Sequence, residues 1–564
     1  MISDFYDASF TYYHTVINML MINNTHKFTI FASALCLVAC QEQENKPPNI
    51  IFILVDDMGF SDLGCYGSEI STPNLDYLGE HGMRFTQFTN SAKCFPSRAN
   101  LLTGLYAHQV GMGQRPDTLR NSVTLGEVLQ AAGYRTLMTG KHHGRENMYF
   151  RGFDRYYGLR DGTCNYFNPG ERRPGEPEPA HKTWAKPRHW CIDEITYAPY
   201  TPEYADFYTT DYFTRYAMGY LDEYRDEGKP FFLYLSYIAP HDPLQAWPDD
   251  IARYEGVYDA GYEAIRLQRY RRMKEIGLID DTWQLSEPTF EDWDALSDDE
   301  RADEIRRMQV YAAMIDRVDQ NVGWLLARLK EIGAYDNTII LFSSDNGGSP
   351  GIFPDDGIGY SEGASEGEIG SMERWASLGT SWSNVCNTPY RYYKDWPHYG
   401  GSCSPFIVYW PGKINPGISD YPGHFIDVMP TFLDWTGAVY PEYFRGDTIP
   451  ALEGESFADV LTGKKSKRET PLFWQFQNGK AVRKGDFRLV WESHTVITDP
   501  VDYAEGPDDQ AGHWVLYDMR SDKSEMTNVA DQHPEKVEDM KEMYYQWYQR
   551  MMQYPQLEMA TIRR

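Results

Sequence analysis

The chain has 564 residues, with 82 acidic side chains against 53 basic ones, for a net charge of −29. Hydrophobic residues make up 42% and aromatic residues 15%, enough to bury a large core, so global disorder is excluded. A surface this acidic repels a phosphate backbone, which argues against nucleic acid as the main partner, and eight Cys are too sparse for a disulfide scaffold.

The first element is an address. Phe28 to Ala39 is an apolar run flanked by Lys27 and ending at Cys40. It is too short to span a bilayer but suits the apolar region of a secretory signal. Its ending, Leu37-Val38-Ala39-Cys40, resembles a bacterial lipoprotein signal in which Cys40 becomes the lipidated first residue. Residues 1–40 are therefore expected to be a signal region with Met21 as its true start, because Met1 to Leu20 holds no Lys or Arg. Residues 41–48 follow as a polar tether. The expected location is outside the cytoplasm, lipid-anchored to a bacterial outer membrane or periplasmic.

Asn49 to Val55 is a continuous apolar run, as in a parallel strand covered on both faces, and it stops at Asp56-Asp57. Four later runs end in the same way. Tyr134–Thr139 leads to Gly140-Lys141-His142-His143, and Pro230–Tyr237 leads to His241. Thr338–Ser343 leads to Asp345-Asn346, and Pro405–Trp410 to Pro411-Gly412. Helical patterns such as Thr124–Ala132 and Met308–Ile332 lie between them. The alternation predicts an α/β domain over residues 49–440, with a large, mixed but mostly parallel sheet flanked by helices. Ligands of such sheets bind beyond the carboxyl ends of the strands, so these polar ends point to one shared site. The segments 168–188 and 349–384 read as long loops. Over residues 441–564, short strands at 473–476, 480–483, 487–491 and 514–517 and a helix over 534–551 predict a smaller antiparallel sheet with one helix.

Asp56, Asp57, Asp345 and Asn346 offer only oxygen ligands, which suits a hard cation, Ca²⁺ or Mg²⁺, rather than zinc. The sharpest motif is Cys94-Phe-Pro-Ser-Arg-Ala-Asn-Leu-Leu-Thr-Gly104. Pro96 suits a helix start, with Ser97 to Thr103 as helix, so Cys94 would lie at the positive helix end where backbone amides favour an anion. Arg98 adds a planar charge suited to a tetrahedral oxyanion.

Cys94-x-Pro96-Ser97-Arg98 followed by Leu-x-Thr-Gly104 resembles the signature of type I, formylglycine-dependent sulfatases of the alkaline-phosphatase superfamily. Gly133-Tyr134-x-Thr136 with Gly140-Lys141-His142-His143 resembles their second signature, and the likeness runs from Asn49 to the C-terminal helix. Phe95 is bulkier than the usual small residue after the Cys, and His142 stands where a Trp is usual, an expected part of the pocket wall. The resemblance implies that Cys94 is oxidised to formylglycine by a maturation enzyme and that its hydrated aldehyde supplies the nucleophile. It implies one Ca²⁺ held by Asp56, Asp57, Asp345, Asn346 and the modified Cys94. It likewise implies that Arg98 stabilises the hydrated aldehyde, Lys141 binds sulfate and His143 helps release it. His241, in Ala-Pro-His-Asp-Pro, and Lys394 match groups near the leaving oxygen.

The expected activity is hydrolysis of sulfate monoesters. Three rivals stand beside the favoured sulfated-carbohydrate substrate. They are small aryl sulfates, a phosphodiesterase or phosphonate hydrolase on the same fold, and a lipoprotein that only binds sulfated glycans. Carbohydrate is favoured because loop 168–191 carries Arg172, Arg173, Lys182, Lys186 and Arg188 with Trp184 and Trp190, while loop 349–384 adds Trp375 and Trp382. Aromatic faces with interleaved cations can stack sugars and pair with further sulfates.

Overall fold

The computed structural model describes residues 46–182, 187–351, 366–492 and 512–555. The signal region, Cys40, Trp184 and Lys186 lie outside them. No helix among the described residues is long and apolar enough to cross a membrane.

The run Asn49-Ile-Ile-Phe-Ile-Leu-Val-Asp56 forms β1, and its side chains alternate between two cores because strand side chains point to opposite faces in turn. Ile51, Ile53 and Val55 enter one core, whereas Ile50, Phe52 and Leu54 enter the other. Helices Thr209–Tyr224 and Asp298–Glu331 cover the first face, and helices Leu125–Ala131 and Val428–Thr436 the second.

β1 belongs to a ten-stranded sheet. The other strands are β2 (Met83–Phe85), β3 (Arg135–Gly140), β4 (Arg155–Leu159), β5 (Trp190–Ile192), β6 (Ile195–Tyr197), β7 (Phe231–Pro240), β8 (Thr338–Ser344), β9 (Phe406–Tyr409) and β10 (Gly417–Ser419). Their order is β10-β2-β9-β8-β1-β7-β3-β4-β5-β6. The central β8-β1-β7-β3-β4 pairings are parallel, whereas β9 joins β8 and β2 antiparallel. Beyond the short hairpin of β11 (Tyr443–Phe444) and β12 (Asp447–Thr448), β13 (Leu472–Phe476), β14 (Gly479–Lys484), β15 (Phe487–Glu492) and β16 (His513–Asp518) form an antiparallel meander, followed by the helix Pro534–Met551. This smaller sheet buttresses the site. Trp474 Nε1 donates to the carbonyl of Asn90 at 2.7 Å, and Arg483 donates to Gln87 at 2.6 Å, both just ahead of Cys94.

Three predicted boundaries move. The helix expected from Met308 begins at Asp298, where Ser297 and Glu300 form a capping box. Its first turns are charged and exposed, so they show no apolar period. The helix expected from Ser97 begins at Cys94, which puts Pro96 in the first turn, where a missing N–H costs nothing. Within the predicted loop 349–384, Thr380–Cys386 is helical, a short polar turn without apolar periodicity.

The loop leaving β1 is fixed by a buried charge cluster. Arg269, fully buried, pairs with Asp62 at 2.5 Å and with both Glu69 oxygens at 2.7 and 2.8 Å. Tyr311 donates to Asp62 at 2.8 Å and to the carbonyl of Asp57 at 3.1 Å. Arg269→Ala leaves two carboxylates buried without their cation and should destabilise the fold by about 3–5 kcal/mol. Denaturant unfolding measures this, and a loss below about 1 kcal/mol would show that the cluster adds little.

Candidate active site

Parallel pairing lines up the carboxyl ends of the central strands. Asp345 N donates to the carbonyl of Val55 at 3.1 Å, and Lys141 N donates to that of Ser236 at 2.7 Å. Asp56, Asp345, Lys141 and, just after β7, His241 therefore converge on one edge. The helix Cys94–Thr103 brings Cys94 and Arg98 to that edge, and the loop before helix Tyr399–Ser402 brings Lys394.

Asp57 is the hub. Its Oδ1 accepts from Lys394 Nζ and Asn346 Nδ2, each at 2.6 Å, and lies 3.9 Å from Cys94 Sγ. Its Oδ2 lies 2.8 Å from Lys394 Nζ and 3.4 Å from His241 Nε2. Asp56 pairs with Lys141, and Arg98 Nε donates to Asp345 at 2.7 Å. Arg98 Nη1 also donates to Ser236 Oγ at 2.6 Å, which fixes the guanidinium plane. Every sequence-predicted site residue is thus part of one assembly, with His143 on the pocket side of it. Asp57 and His143 both hold positive φ, at 68° and 64°, a strained geometry that side chains keep only where surrounding contacts enforce it.

The electrostatics divide the two histidines. Burial lowers His241, but Asp57, Asp242 and Asp56 outweigh it and carry it up to about 10, so it stays protonated at neutral pH. Burial, then Lys141, hold His143 well below its usual value, leaving it neutral. Such a split gives one proton donor and one acceptor. Burial pushes Asp56 up, yet Lys141, His241, Arg98 and Lys394 together hold it below the usual carboxylate range. Burial and the Asp56 carboxylate push Asp345 up to about 7 against the pull of Arg98.

The oxygen donors of the site, Asp56, Asp57, Asp345 and Asn346, fit a hard cation. Ligand atoms of Asp56, Asp57, Cys94 and His241 all lie within 4.8 Å of one another. Asp56 Oδ1 and Asn346 Oδ1 are buried without a hydrogen-bond partner, as oxygens aimed at an ion would be.

The assembly opens into a pocket of about 490 Å³. Among the described residues, Lys93, Arg115, Arg145, Lys182, Arg188 and Lys394 line it against Asp161 and Asp242, so this described wall is mainly cationic on an acidic protein. Phe95 lines it too, edge-on to His143 at 5.8 Å. His142 does not form the wall as expected. It is buried away from the pocket, 3.5 Å from Glu146.

For three of the four tryptophans expected as a sugar platform, Trp184 lying outside the described residues, the structure gives a correction. Trp190 stacks on Tyr200 and Phe213 within the core, and Trp382 packs edge-on to Tyr262. Trp375, 1% exposed, donates to Asp242 at 3.2 Å. A long loop becomes ordered by burying its own aromatics, and these indoles are used for that. Arg172 and Arg173 likewise bind their own loop, through Glu176.

Asp242 and Ser236 were missed from sequence. Asp242 sits 2.6 Å from His241 Nδ1 and also accepts from Ser377 at 3.0 Å. Its place directly after His241 was the available signal. No signal marked Ser236, a strand residue among apolar neighbours.

Residues 48–438 match the Sulfatase family model. The chain is 32% identical to an arylsulfatase of Klebsiella aerogenes, covering 76% of this chain and 95% of that one. It is 26% identical to an N-acetylglucosamine-6-O-sulfatase of Bacteroides thetaiotaomicron, over 90% of this chain and 88% of the other. Among solved structures, Ps i-CgsB in complex with k-i-k-neocarrahexaose superposes with a TM-score of 0.62 at 24% identity, covering 89% of this chain and 93% of that one. With the family model spanning more than two thirds of its length, the chain belongs to the sulfatase family and is a sulfuric ester hydrolase.

Proposed function

We propose that the protein removes sulfate from sulfated carbohydrate, using Cys94 in its formylglycine form and one Ca²⁺. The observation that carries this reading is the setting of Cys94. A buried residue at a helix start stands against the Asp57 carboxylate, with Lys141, Lys394 and Arg98 in the same cluster.

A maturation enzyme has to supply the aldehyde, and its hydrate provides the attacking oxygen at position 94. Asp56, Asp57, Asp345 and Asn346 would hold the Ca²⁺, which would supply positive charge toward the sulfate. The other work belongs to the side chains. Lys141 and Lys394 add positive charge where sulfate oxygens must sit, and Arg98 orients residue 94 from the next turn of its helix. His241, protonated and aligned by Asp242, delivers a proton to the departing alcohol oxygen. His143, neutral at the pocket face, accepts a proton as sulfate is released. One water is consumed, with hydroxyl ending on sulfur and hydrogen on the sugar oxygen.

The cationic pocket supports a polyanionic carbohydrate. So do the names of relatives, one an N-acetylglucosamine-6-O-sulfatase and one a structure solved with a neocarrahexaose. Sulfate release across sulfated mono- and oligosaccharides, beside 4-nitrophenyl sulfate and phosphate esters, tests the reading. Faster turnover of the aryl ester than of every saccharide would overturn the carbohydrate assignment. His241→Asn should slow the best saccharide roughly 10²- to 10⁴-fold but 4-nitrophenyl sulfate far less, because nitrophenolate leaves without a proton. Equal losses on both would remove His241 from the acid role.

A further inference from the structure

His241 lines the pocket and is held at both ring nitrogens. Its Nε2 lies 3.4 Å from Asp57 Oδ2, while its Nδ1 lies 2.6 Å from Asp242 Oδ1 and 2.7 Å from the Asp242 carbonyl. Tyr166 donates to the carbonyl of His241 and Thr163 to that of Asp242, each at 2.7 Å, so the backbone here is fixed. The Asp242 carboxylate is held from a distant loop. Its Oδ2 accepts from Trp375 Nε1 at 3.2 Å and from Ser377 Oγ at 3.0 Å. Both donors are buried.

That loop docks without the help of these two side chains. Leu244 N donates to the carbonyl of Ala376 at 2.8 Å, and Gln245 Nε2 donates to the carbonyls of Ser371, Met372 and Arg374 at 3.0 to 3.3 Å. Trp375 and Ser377, which flank Ala376, therefore aim at Oδ2 from a fixed origin. The terminal torsion of an aspartate is broad, so a carboxylate with one pinned oxygen is far better oriented than a free one. With Oδ2 pinned, Oδ1 stays on His241. Without the two donors, Lys182 Nζ, 3.9 Å from Oδ2, is a cation in range to turn the carboxylate away.

We infer that Trp375 and Ser377 are positioning residues for the proton-transfer step, acting through Asp242 to hold His241 Nε2 toward the pocket. This deepens the proton-donor reading above and rests on it. In that step the bond between sulfur and the alcohol oxygen breaks and its electron pair stays on that oxygen. The Nε2 proton passes to the same oxygen and leaves a neutral imidazole. A donor turned off the departing oxygen loses this transfer while the fold and residue 94 stay intact.

The test uses the full-length, modified enzyme on 4-nitrophenyl, phenyl and 4-methoxyphenyl sulfates, whose leaving groups need a proton increasingly in that order. Trp375→Phe keeps a ring but drops the N–H, and Ser377→Ala drops the hydroxyl. Together they should slow 4-methoxyphenyl sulfate about tenfold and 4-nitrophenyl sulfate far less, which steepens the dependence of rate on leaving-group basicity. On a His241→Asn background the same pair should add less than about twofold, because its target is gone. Ser377→Ala alone, with a smaller effect of the same kind, serves should Trp375→Phe fold poorly. Unchanged rates, equal losses on all three esters, or losses that multiply with His241→Asn would overturn the inference, while a selective loss in His241→Asn keeps the proton-donor reading. If His241→Asn itself slows all three equally, that reading falls and the positioning role with it.

Discussion

Cys94→Ala should abolish sulfate release, by roughly 10⁴-fold or more, because it removes the nucleophile and not an auxiliary group. The side chain is small and its hydrogen bond to Asp57 is long, 3.9 Å, so the unfolding midpoint should barely move. Mass spectrometry of the peptide containing residue 94 should show the thiol converted in active wild type. Phe95 bears on the yield, since the maturation enzyme must accept a ring immediately after the cysteine. In the folded protein that ring is held between His143 and Phe476, each at 5.8 Å. Full activity with an unmodified thiol would end the proposed mechanism.

Asp57→Ala should be nearly as damaging, with activity down at least about 10²-fold. The same carboxylate is the acceptor for Lys394 and Asn346 and the neighbour of His241, so no other side chain replaces it. A readout apart from turnover separates metal loss from general damage. Ca²⁺ added to chelated wild type should raise the unfolding midpoint, by about 2.7 kcal/mol of stability at a hundredfold excess over Kd, and should restore the rate. Asp57→Ala should show neither response. A metal-free wild type, verified by elemental analysis, that keeps its full rate would remove the ion from the mechanism.

Much of the site was legible because it is built from strand ends. The apolar run Asn49–Val55 is uninterrupted since both its faces are covered, and that burial makes the abrupt switch to Asp56-Asp57 visible. The same switch marks Lys141 after β3 and Asp345-Asn346 after β8. In a parallel sheet all such switches must fall on one edge, so the convergence follows from local pattern plus one topological rule. The spacing from Cys94 to Arg98 is likewise local, one helical turn.

The sequence by itself therefore determined the α/β class, the active edge and the residues that meet there. Only the tertiary structure decided what the loops do with their side chains. Composition put cations and indoles together in segments 168–191 and 349–384, but long-range packing divided them. Trp190 and Trp382 went into the core and Trp375 under Lys182, while Arg172 and Arg173 turned back onto Glu176. Lys182 and Arg188 alone of that loop's described cations reach the pocket. The helix Thr380–Cys386 was equally hidden. A strand declares its burial through its own period, whereas a loop side chain takes its direction from whichever distant element folds against it.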